Sequence, residues 1–404
     1  MTKIAFIGTY IPQRCGIATY THHLRQSIRG ARGWRGIDPV IALRTSEASG
    51  LETAPGIWEL DKHDRTAYIR AADRLNRSEV AVVSLQHEFG IFGGEAGEYV
   101  LDLAERLEKP LAVTFHTVFE KPEEPYRSVQ ERLAKRADMI LVMNRRAVDF
   151  LHGAFRIPRE RIQVVPHGTP EPAPGKRISY RRKMGWDGRK VVMTFGLLGR
   201  GKGLETVIHA LDKVAREVPD VLYAIVGQTH PEVKKQEGEA YREELQAMIQ
   251  QRGLERHVTM IDRYVEEDEL VGLLSACDLY VTPYPGLQQI TSGTLAYAVG
   301  LGRPVLSTPY VYAEELLGSY PELLLAPGDA ELWAERMCKL LGSEEERLEM
   351  ERGMMDIGRA MHWPKVGKLH LSLFGQLSAK AKAGAAASSL KQDRPELAPK
   401  VVEA

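Results

Sequence analysis

The sequence predicts an α/β protein made of two doubly wound, Rossmann-like domains in tandem. Short apolar runs alternate with amphipathic segments along most of the 404 residues, a pattern typical of parallel strands joined by crossover helices. The alternation is interrupted by HGTPEPAPGK, residues 167–176, whose prolines and glycines are typical of a linker. The length also favours more than one domain, because a domain usually holds roughly 100 to 200 residues.

The first domain is expected over residues 1–170. Its predicted strands are KIAFIG, AVVSLQ, PLAVTFH, MILVMN and IQVVP. The amphipathic segments that follow the first four are ATYTHHLRQSI, AGEYVLDLAERLE, YRSVQERLAKRA and RRAVDFLHGAF. Each pair of strand and helix can therefore form one crossover unit of a parallel sheet.

The second domain is expected over residues 171–361. Its predicted strands are KVVMTFG, VLYAIVG, VTMID, LYVTPY and PVLST. Its predicted helices are GLETVIHALDKVAREV, YREELQAMIQQRG, DELVGLLSACD and GTLAYAVGLG. A final helix is expected over residues 362–382, and residues 383–404 are expected to be a disordered tail because they lack aromatic residues and sustained periodicity.

Composition and charge exclude several classes of protein. Acidic and basic residues balance at 54 each, which predicts no nucleic acid partner. The three cysteines are too few for a disulfide framework, show no metal-ligand spacing and fit a reducing cytoplasm. No stretch approaches the ~20 apolar residues that span a bilayer. Peripheral membrane contact stays open without support, and no oligomeric state is indicated.

Polar side chains follow two predicted strands of the first domain. His87 and Glu88 come after AVVSLQ, and His116 ends PLAVTFH. The carboxyl ends of strands face the ligand crevice in an open parallel sheet, so these side chains are candidates for a sugar or acceptor site. The alternative is that each histidine is a structural residue with satisfied hydrogen bonds. The twelve histidines show no metal-binding spacing, and no bound metal is expected.

A glycine-rich loop, FGLLGRGKGLETVI, opens the second domain. Gly196, four residues, Gly201 and Lys202 nearly form a P-loop, but Gly203 stands where a P-loop needs Ser or Thr for magnesium. The free N–H groups of a helix start still favour phosphate, with Arg200 and Lys202 as added charges. The alternative is a surface turn whose charges are solvated.

Two other helix starts are candidates for ligand contact. Gly16 opens the first helix after TYIPQRC, where it either lets the backbone approach a ligand or only completes a turn. In QQITSGTLAY, the Ser292, Gly293 and Thr294 segment begins a helix directly after a strand. Its unpaired N–H groups suit a phosphate or diphosphate, and Thr291 or Ser292 can cap the same helix.

Taken in order, these segments resemble glycosyltransferase family 4, the retaining sugar-nucleotide-dependent enzymes of the two-domain GT-B fold. The resemblance runs from GTYIPQRCGIATYTHHL through RIQVVPHG, FGLLGRGKGLETVIHAL and GLGRPVLST to HWPKVGKLHLSLF. It implies two Rossmann-like domains that face each other across a cleft. It also implies transfer of a hexose from a nucleotide sugar co-substrate to a hydroxyl acceptor, a saccharide or a lipid, without metal or other cofactor.

The resemblance also implies roles for individual residues. His116 matches a histidine beside the donor sugar, and Lys202 matches the lysine that holds the donor phosphates. Fixed cations and N–H groups are suited to the charge that develops on a leaving phosphate. The other expected donor-site residues are Gly16 and Ile17 in the first domain, and Gly227, Ser292, Gly293 and Thr294 in the second.

The chain departs from the family pattern at three positions. The arginine of the family's cationic pair falls on Leu197, and Arg200 is expected to replace it. The family's two glutamates fall on Gln289, which can still bind a sugar hydroxyl, and on Tyr297, which cannot offer ribose a bidentate carboxylate. An unusual donor, a phosphorylase that uses a sugar phosphate and a non-catalytic sugar-binding relative therefore stay open as alternatives.

Overall fold

The computed structural model describes residues 2–33, 36–45, 54–173 and 175–392. Within them the chain forms two parallel β-sheets, one of seven strands and one of five, each with helices between its strands. The prediction of two doubly wound domains is confirmed.

The first sheet has the strand order β3-β2-β1-β4-β5-β6-β7, and all its pairs are parallel. The strands are β1 (Ile4–Thr9), β2 (Val40–Arg44), β3 (Ile57–Asp61), β4 (Val82–His87), β5 (Leu111–Phe115), β6 (Met139–Val142) and β7 (Ile162–Val164). The helices of this domain are α1 (Gly16–Arg32), α2 (Arg65–Asn76), α3 (Val100–Ala104), α4 (Tyr126–Arg136) and α5 (Arg145–Phe155).

Strands β2 and β3 and helix α2 are additional to the elements that the sequence predicted. β3 is an edge strand whose side chains are mostly half-buried or exposed, so it lacks the continuous apolar run that marks the other strands. It pairs with β2 in a register that places Leu43 beside Leu60.

The second sheet has the strand order β10-β9-β8-β11-β12. Its strands are β8 (Lys190–Phe195), β9 (Val221–Val226), β10 (Val258–Ile261), β11 (Leu279–Thr282) and β12 (Val305–Ser307). The helices of this domain are α6 (Lys176–Met184), α7 (Leu204–Glu217), α8 (Pro231–Glu237), α9 (Ala240–Gln251), α10 (Glu267–Ala276), α11 (Gly293–Gly300), α12 (Val311–Leu316), α13 (Ala330–Gly342) and α14 (Glu344–Gly358).

A long last helix, α15 (Trp363–Gln392), returns from the second domain to α1 of the first. Leu24 and Ile28 of α1 are buried in one cluster with Phe374 and Leu377 of α15. The helix is longer than the predicted 362–382, because the alanine-rich residues 383–392 favour helix through intrinsic propensity without an apolar period. The rest of the predicted tail, residues 393–404, lies outside the described residues.

The chain crosses between the domains twice, and the two crossings lie side by side. The Thr169 N–H donates to the Met361 carbonyl at 2.8 Å, and the Trp363 N–H donates to the Thr169 carbonyl at 2.9 Å. No helix in the described ranges has the length and apolar content needed to cross a membrane.

In both sheets the strand order reverses beside the first strand of the domain, and ligands of open parallel sheets bind at such switch points.

Candidate active site

A cavity of about 1250 Å³ lies between the two domains, at these switch points. Loops after β1, β4 and β5 form one wall, and loops after β8, β9 and β11 form the other. Most of the residues singled out from the sequence line it: Gly16, Ile17, Glu88, His116, Lys202, Gly227, Gln289, Ser292, Gly293, Thr294 and Tyr297.

Lys202 is held by neutral partners in the wall of the second domain. Its Nζ donates to the Tyr284 hydroxyl at 3.0 Å and stands 4.4 Å from the centre of that ring. The Tyr284 hydroxyl lies 2.9 Å from the Thr294 hydroxyl. In the part of the chain that the structure describes, Lys202 forms no ion pair. Its positive charge therefore faces the cavity without a counter-ion.

The N-terminus of α11 lies beside Lys202. Ser292 caps the helix, because its Oγ accepts from the Leu295 N–H at 3.3 Å. The Ser292 and Thr294 hydroxyls are 3.2 Å apart, and the first N–H groups of a helix have no partner within it. The sequence allowed a cap and an anion site here, and the geometry accommodates both. We name Lys202, Ser292, Gly293 and Thr294 the anion cradle.

Two glycines with positive φ shape the loops of the cradle. Gly203 has a φ of +59°, and a Cβ there would lie 2.3 Å from the Pro283 carbonyl oxygen. Gly227 has a φ of +136°, and a Cβ there would lie 2.0 Å from the Gly196 carbonyl oxygen. Side chains at these positions would clash and strain the backbone. Glycine at both positions therefore allows the loops after β8, β9 and β11 to pack close together.

The first domain places the start of α1 in the opposite wall. Cys15 caps this helix through its Sγ, which accepts from the Ala18 N–H at 3.4 Å. No heavy atom lies within 4 Å of the position that a Cβ on Gly16 would occupy. The backbone at Gly16 therefore faces open space in the cavity, where a ligand can approach its N–H groups.

His116 is a buried neutral imidazole at the end of β5. Burial, and next the neighbouring His167 and His87, lower its pKa to about 3. Its Nε2 lies 3.0 Å from Gln86 Oε1, and because an amide oxygen only accepts hydrogen bonds, Nε2 carries the proton. The other nitrogen, Nδ1, is then an acceptor and can receive a hydrogen bond from a ligand hydroxyl.

Glu88 lies on the same wall with both carboxylate oxygens bound. Oε1 accepts from the Phe89 N–H at 3.0 Å, and Oε2 accepts from the Thr117 hydroxyl at 2.7 Å. Burial raises the pKa of Glu88, and these two hydrogen bonds oppose the rise. The carboxyl group is thus fixed in orientation beside the cavity.

The structure does not bring His87 or Arg200 into the cavity. His87 is fully buried, with ring centroids of Phe89, Phe92 and Phe115 at 4.8, 5.8 and 5.1 Å. Burial lowers its pKa to about 3.

Arg200 turns to the surface of the second domain instead. Its guanidinium forms two hydrogen bonds with Glu244, at 2.7 and 2.6 Å, and one with Glu237 at 3.2 Å. A bidentate pair with a carboxylate fits guanidinium geometry, and it holds Arg200 outside the cavity in which it was expected to replace the missing arginine at Leu197.

Gln289 and Tyr297 line the cavity but differ in what they offer a ligand. Gln289 is exposed, and its amide donates to the Thr291 carbonyl at 2.7 Å. Tyr297 is buried, and its hydroxyl donates to Glu267 Oε1 at 2.7 Å.

Glu267 is a cavity residue that the sequence analysis did not identify. Its Oε2 lies 2.6 Å from Nε2 of His23, which is on α1 of the other domain. His23 stacks on Trp363, with ring centroids 5.5 Å apart. Burial works to raise the pKa of Glu267, but the hydrogen bonds from His23 and Tyr297 outweigh it and lower the pKa. Nothing in VEEDEL marks this residue, since an acidic first turn is ordinary for any helix.

Two family models match consecutive parts of the chain. The model of Glycosyltransferase Family 4 matches residues 16–171, and the model of Glycosyl transferases group 1 matches residues 176–354.

Among the described residues, no group of three or more His, Cys, Asp or Glu side chains could hold a metal ion.

Curated relatives share part of this sequence. An alpha-D-kanosaminyltransferase of Streptomyces kanamyceticus is 26% identical over 261 residues, which are 61% of this chain and 63% of that protein. A GDP-mannose-dependent alpha-(1-6)-phosphatidylinositol monomannoside mannosyltransferase of Mycolicibacterium smegmatis is 29% identical over 161 residues, 39% of either chain. The matched part thus spans less than two thirds of the length of these relatives.

Solved structures match the fold over nearly the whole chain. Anabaena Alr3699/HepE, solved in complex with UDP and glucose, superposes with a TM-score of 0.73 at 16% identity, over 93% of this chain and 100% of that one. With two doubly wound sheets, a cavity between them and family matches in both halves, the chain belongs to the group 1 glycosyl transferases, family 4, and has the GT-B fold.

Proposed function

We propose that this protein transfers a hexose from a nucleoside diphosphate sugar to a hydroxyl acceptor with retention of configuration. The observation that carries the proposal is the uncompensated charge of Lys202 beside the start of α11, in a cavity between two domains. Relatives named for GDP-mannose and a structural neighbour solved with UDP and glucose support a nucleotide donor. Retention rests on the resemblance to the family.

The anion cradle suits the leaving group of this reaction. When the bond between the anomeric carbon and the phosphate oxygen breaks, its electron pair stays on the diphosphate. The acceptor oxygen forms the new bond to the anomeric carbon, and its proton passes to an oxygen of the departing diphosphate. A fixed ammonium and helix N–H groups stabilise the charge that accumulates on the diphosphate, and they do so most in a site that excludes water.

Side chains of the first domain suit the sugar and the acceptor. His116 stays neutral at physiological pH and offers Nδ1 to a hydroxyl. Glu88 presents a carboxyl group that Thr117 and the Phe89 N–H orient. On the other wall, Gln289 can bind a sugar hydroxyl through its amide. No resident cofactor is part of the proposal, and the three cysteines are consistent with a cytoplasmic enzyme.

The proposal is tested by following release of nucleoside diphosphate from UDP-, GDP-, ADP- and dTDP-hexoses, with sugar 1-phosphates as the comparison. We expect slow hydrolysis of at least one nucleotide sugar without acceptor, which EDTA leaves unchanged and Lys202→Ala slows at least tenfold. The anomeric configuration of the released or transferred sugar, read by NMR, tests retention. Turnover of sugar 1-phosphates alone would favour a phosphorylase, and no turnover of either class would favour a non-catalytic relative.

A further inference from the structure

Glu267 is the first residue of α10 and lies in the cavity wall with 27% of its side chain exposed. Its two hydrogen-bond partners come from different domains. Tyr297 reaches it from α11 of the same domain, and His23 reaches it from α1 of the other domain, where Trp363 stacks on the imidazole. A half-buried carboxylate with two donors and an open side is well defined in position.

Tyr297 and the anion cradle belong to one helix. Thr294 and Tyr297 are three residues apart, so they lie on the same face of α11, separated by roughly 4.5 Å along the axis. Both line the cavity. The Glu267 carboxylate is bound to the Tyr297 hydroxyl and lines the same cavity as the cradle, so a ligand whose phosphates occupy the cradle can place its next group there.

The Glu267 carboxylate has capacity left for a ligand. An ionised carboxylate accepts at about four lone-pair positions. Tyr297 occupies one on Oε1 and His23 occupies one on Oε2, which leaves one position on each oxygen. Two adjacent hydroxyls match this arrangement, because each can donate to one oxygen.

The other carboxylates of the cavity offer less. Glu88 has both oxygens bound within the first domain. Glu266 is 74% exposed and lies 3.7 Å from Arg14, so water competes for it. Glu267 is the carboxylate that combines partial burial, fixed orientation and a place on the wall that carries the cradle.

We propose that Glu267 determines donor specificity by accepting hydrogen bonds from the 2′- and 3′-hydroxyls of the ribose of a nucleoside diphosphate, and that Tyr297 is a positioning residue for this carboxylate. The inference rests on the proposed function, because it places the diphosphate in the anion cradle. Tyr297 has no carboxylate of its own to offer the ribose, but in this proposal its hydroxyl orients the carboxylate of Glu267.

The test compares ribonucleoside diphosphates with their 2′-deoxy counterparts by calorimetric titration of the full chain. For UDP, GDP or ADP, whichever binds tightest, we expect wild type to prefer the ribonucleotide at least tenfold, because a site that binds hydroxyls rejects a ligand that lacks one. The ratio needs no variant, so it can be measured whatever the stability of the mutants.

Variants then assign the preference to Glu267. Glu267→Gln should bring the ratio below threefold, and Tyr297→Phe should reduce it in part while leaving the affinity for inorganic pyrophosphate unchanged. The matched control is Asp268→Asn, which removes a charge one residue away on a side chain that is 88% exposed and paired with Lys176; its ratio should equal that of wild type.

Two results would overturn the inference while leaving the proposed function intact. Wild type could bind ribo- and deoxynucleotides within threefold of each other, or Glu267→Gln could keep the wild-type ratio. If no nucleoside diphosphate binds at 1 mM while a sugar 1-phosphate does, the proposed nucleotide donor and this inference are both overturned.

Discussion

Lys202 Nζ lies 3.0 Å from the Tyr284 hydroxyl and 4.4 Å from the centre of its ring, so a neutral aromatic residue holds the ammonium in place. Two residues earlier, the guanidinium of Arg200 is bound by two glutamates on the other side of the loop. The same short turn thus presents one charge to the cavity and neutralises the other.

This difference predicts opposite outcomes for two charge deletions. Lys202→Ala should lower donor affinity and donor turnover together by about 10- to 150-fold, because a hydrogen bond from a charged donor contributes about 1.5 to 3 kcal/mol. Arg200→Ala should change either quantity by less than about threefold, because its partners are on the surface. Steady-state kinetics and titration of both variants check this. Equal losses would show that Arg200 reaches the donor after closure.

The second prediction is that the protein becomes more compact when the donor binds. The cavity of about 1250 Å³ exceeds the roughly 300 to 1,000 Å³ of typical ligand sites, and both chain crossings meet at Thr169 and Met361–Trp363. A hinge there can close the cleft and exclude water. Small-angle scattering should show a smaller radius of gyration with saturating nucleoside diphosphate. An unchanged radius at saturation would argue against closure.

Acid should destabilise the fold through its buried histidines. Burial lowers the pKa of His87 and His116 to about 3, while the unfolded chain keeps a value near 6.5. Below pH 6.5 the unfolded state therefore binds protons that the folded state does not, and the free energy of unfolding falls as pH decreases toward 4. Each such histidine contributes up to about 1.4 kcal/mol per pH unit to the slope of the free energy of unfolding against pH.

Denaturant unfolding at pH 7.5, 6.5 and 5.5 measures this slope. His87→Leu should make it smaller, since it removes one buried imidazole from the phenylalanine cluster. His63→Leu is the matched control, because His63 is exposed, and it should leave the slope unchanged. A slope that is the same in wild type and His87→Leu would contradict the prediction.

Two glycines of α15 should respond in opposite ways to alanine. A Cβ on Gly367 would lie 2.6 Å from the Ser27 carbonyl carbon of α1, whereas no heavy atom lies within 4 Å of a Cβ on Gly375. Gly367→Ala should cost about 1 to 3 kcal/mol through overpacking. Gly375→Ala should add about 0.5 to 1 kcal/mol through helix propensity. Thermal unfolding of both variants checks the sign; stabilisation by Gly367→Ala would mean that α15 can shift on α1.

The features that could be predicted from the sequence are the local ones. Alternating apolar runs define the two sheets, and Ser292 and Gly293 mark the start of α11 from its own residues. By contrast, the Tyr284 hydroxyl joins Lys202 to Thr294 because β8 and β11 are neighbours in the second sheet, an order that local patterns do not specify.

The features that could not be predicted depend on side chains far apart in the sequence. Arg200 is hydrogen-bonded to Glu244, 44 residues away in the sequence, and Tyr297 is hydrogen-bonded to Glu267, 30 residues away. Both contacts depend on how helices pack, which periodicity does not encode. His87 has the sequence context of a strand-end ligand, yet its ring turns into the phenylalanine core because side chains alternate between the faces of a strand.

The packing of α15 on α1 has a consequence for synthesis of the chain. Helix α1 leaves the ribosome early, but the residues that cover Leu24 and Ile28 are translated more than 300 positions later. At roughly 5 to 20 residues per second, that apolar surface waits on the order of 20 to 70 s for its partner. The first domain therefore cannot complete its fold before the second has been made. A nascent chain stalled short of Trp363 exposes the apolar face of α1, which chaperones can bind.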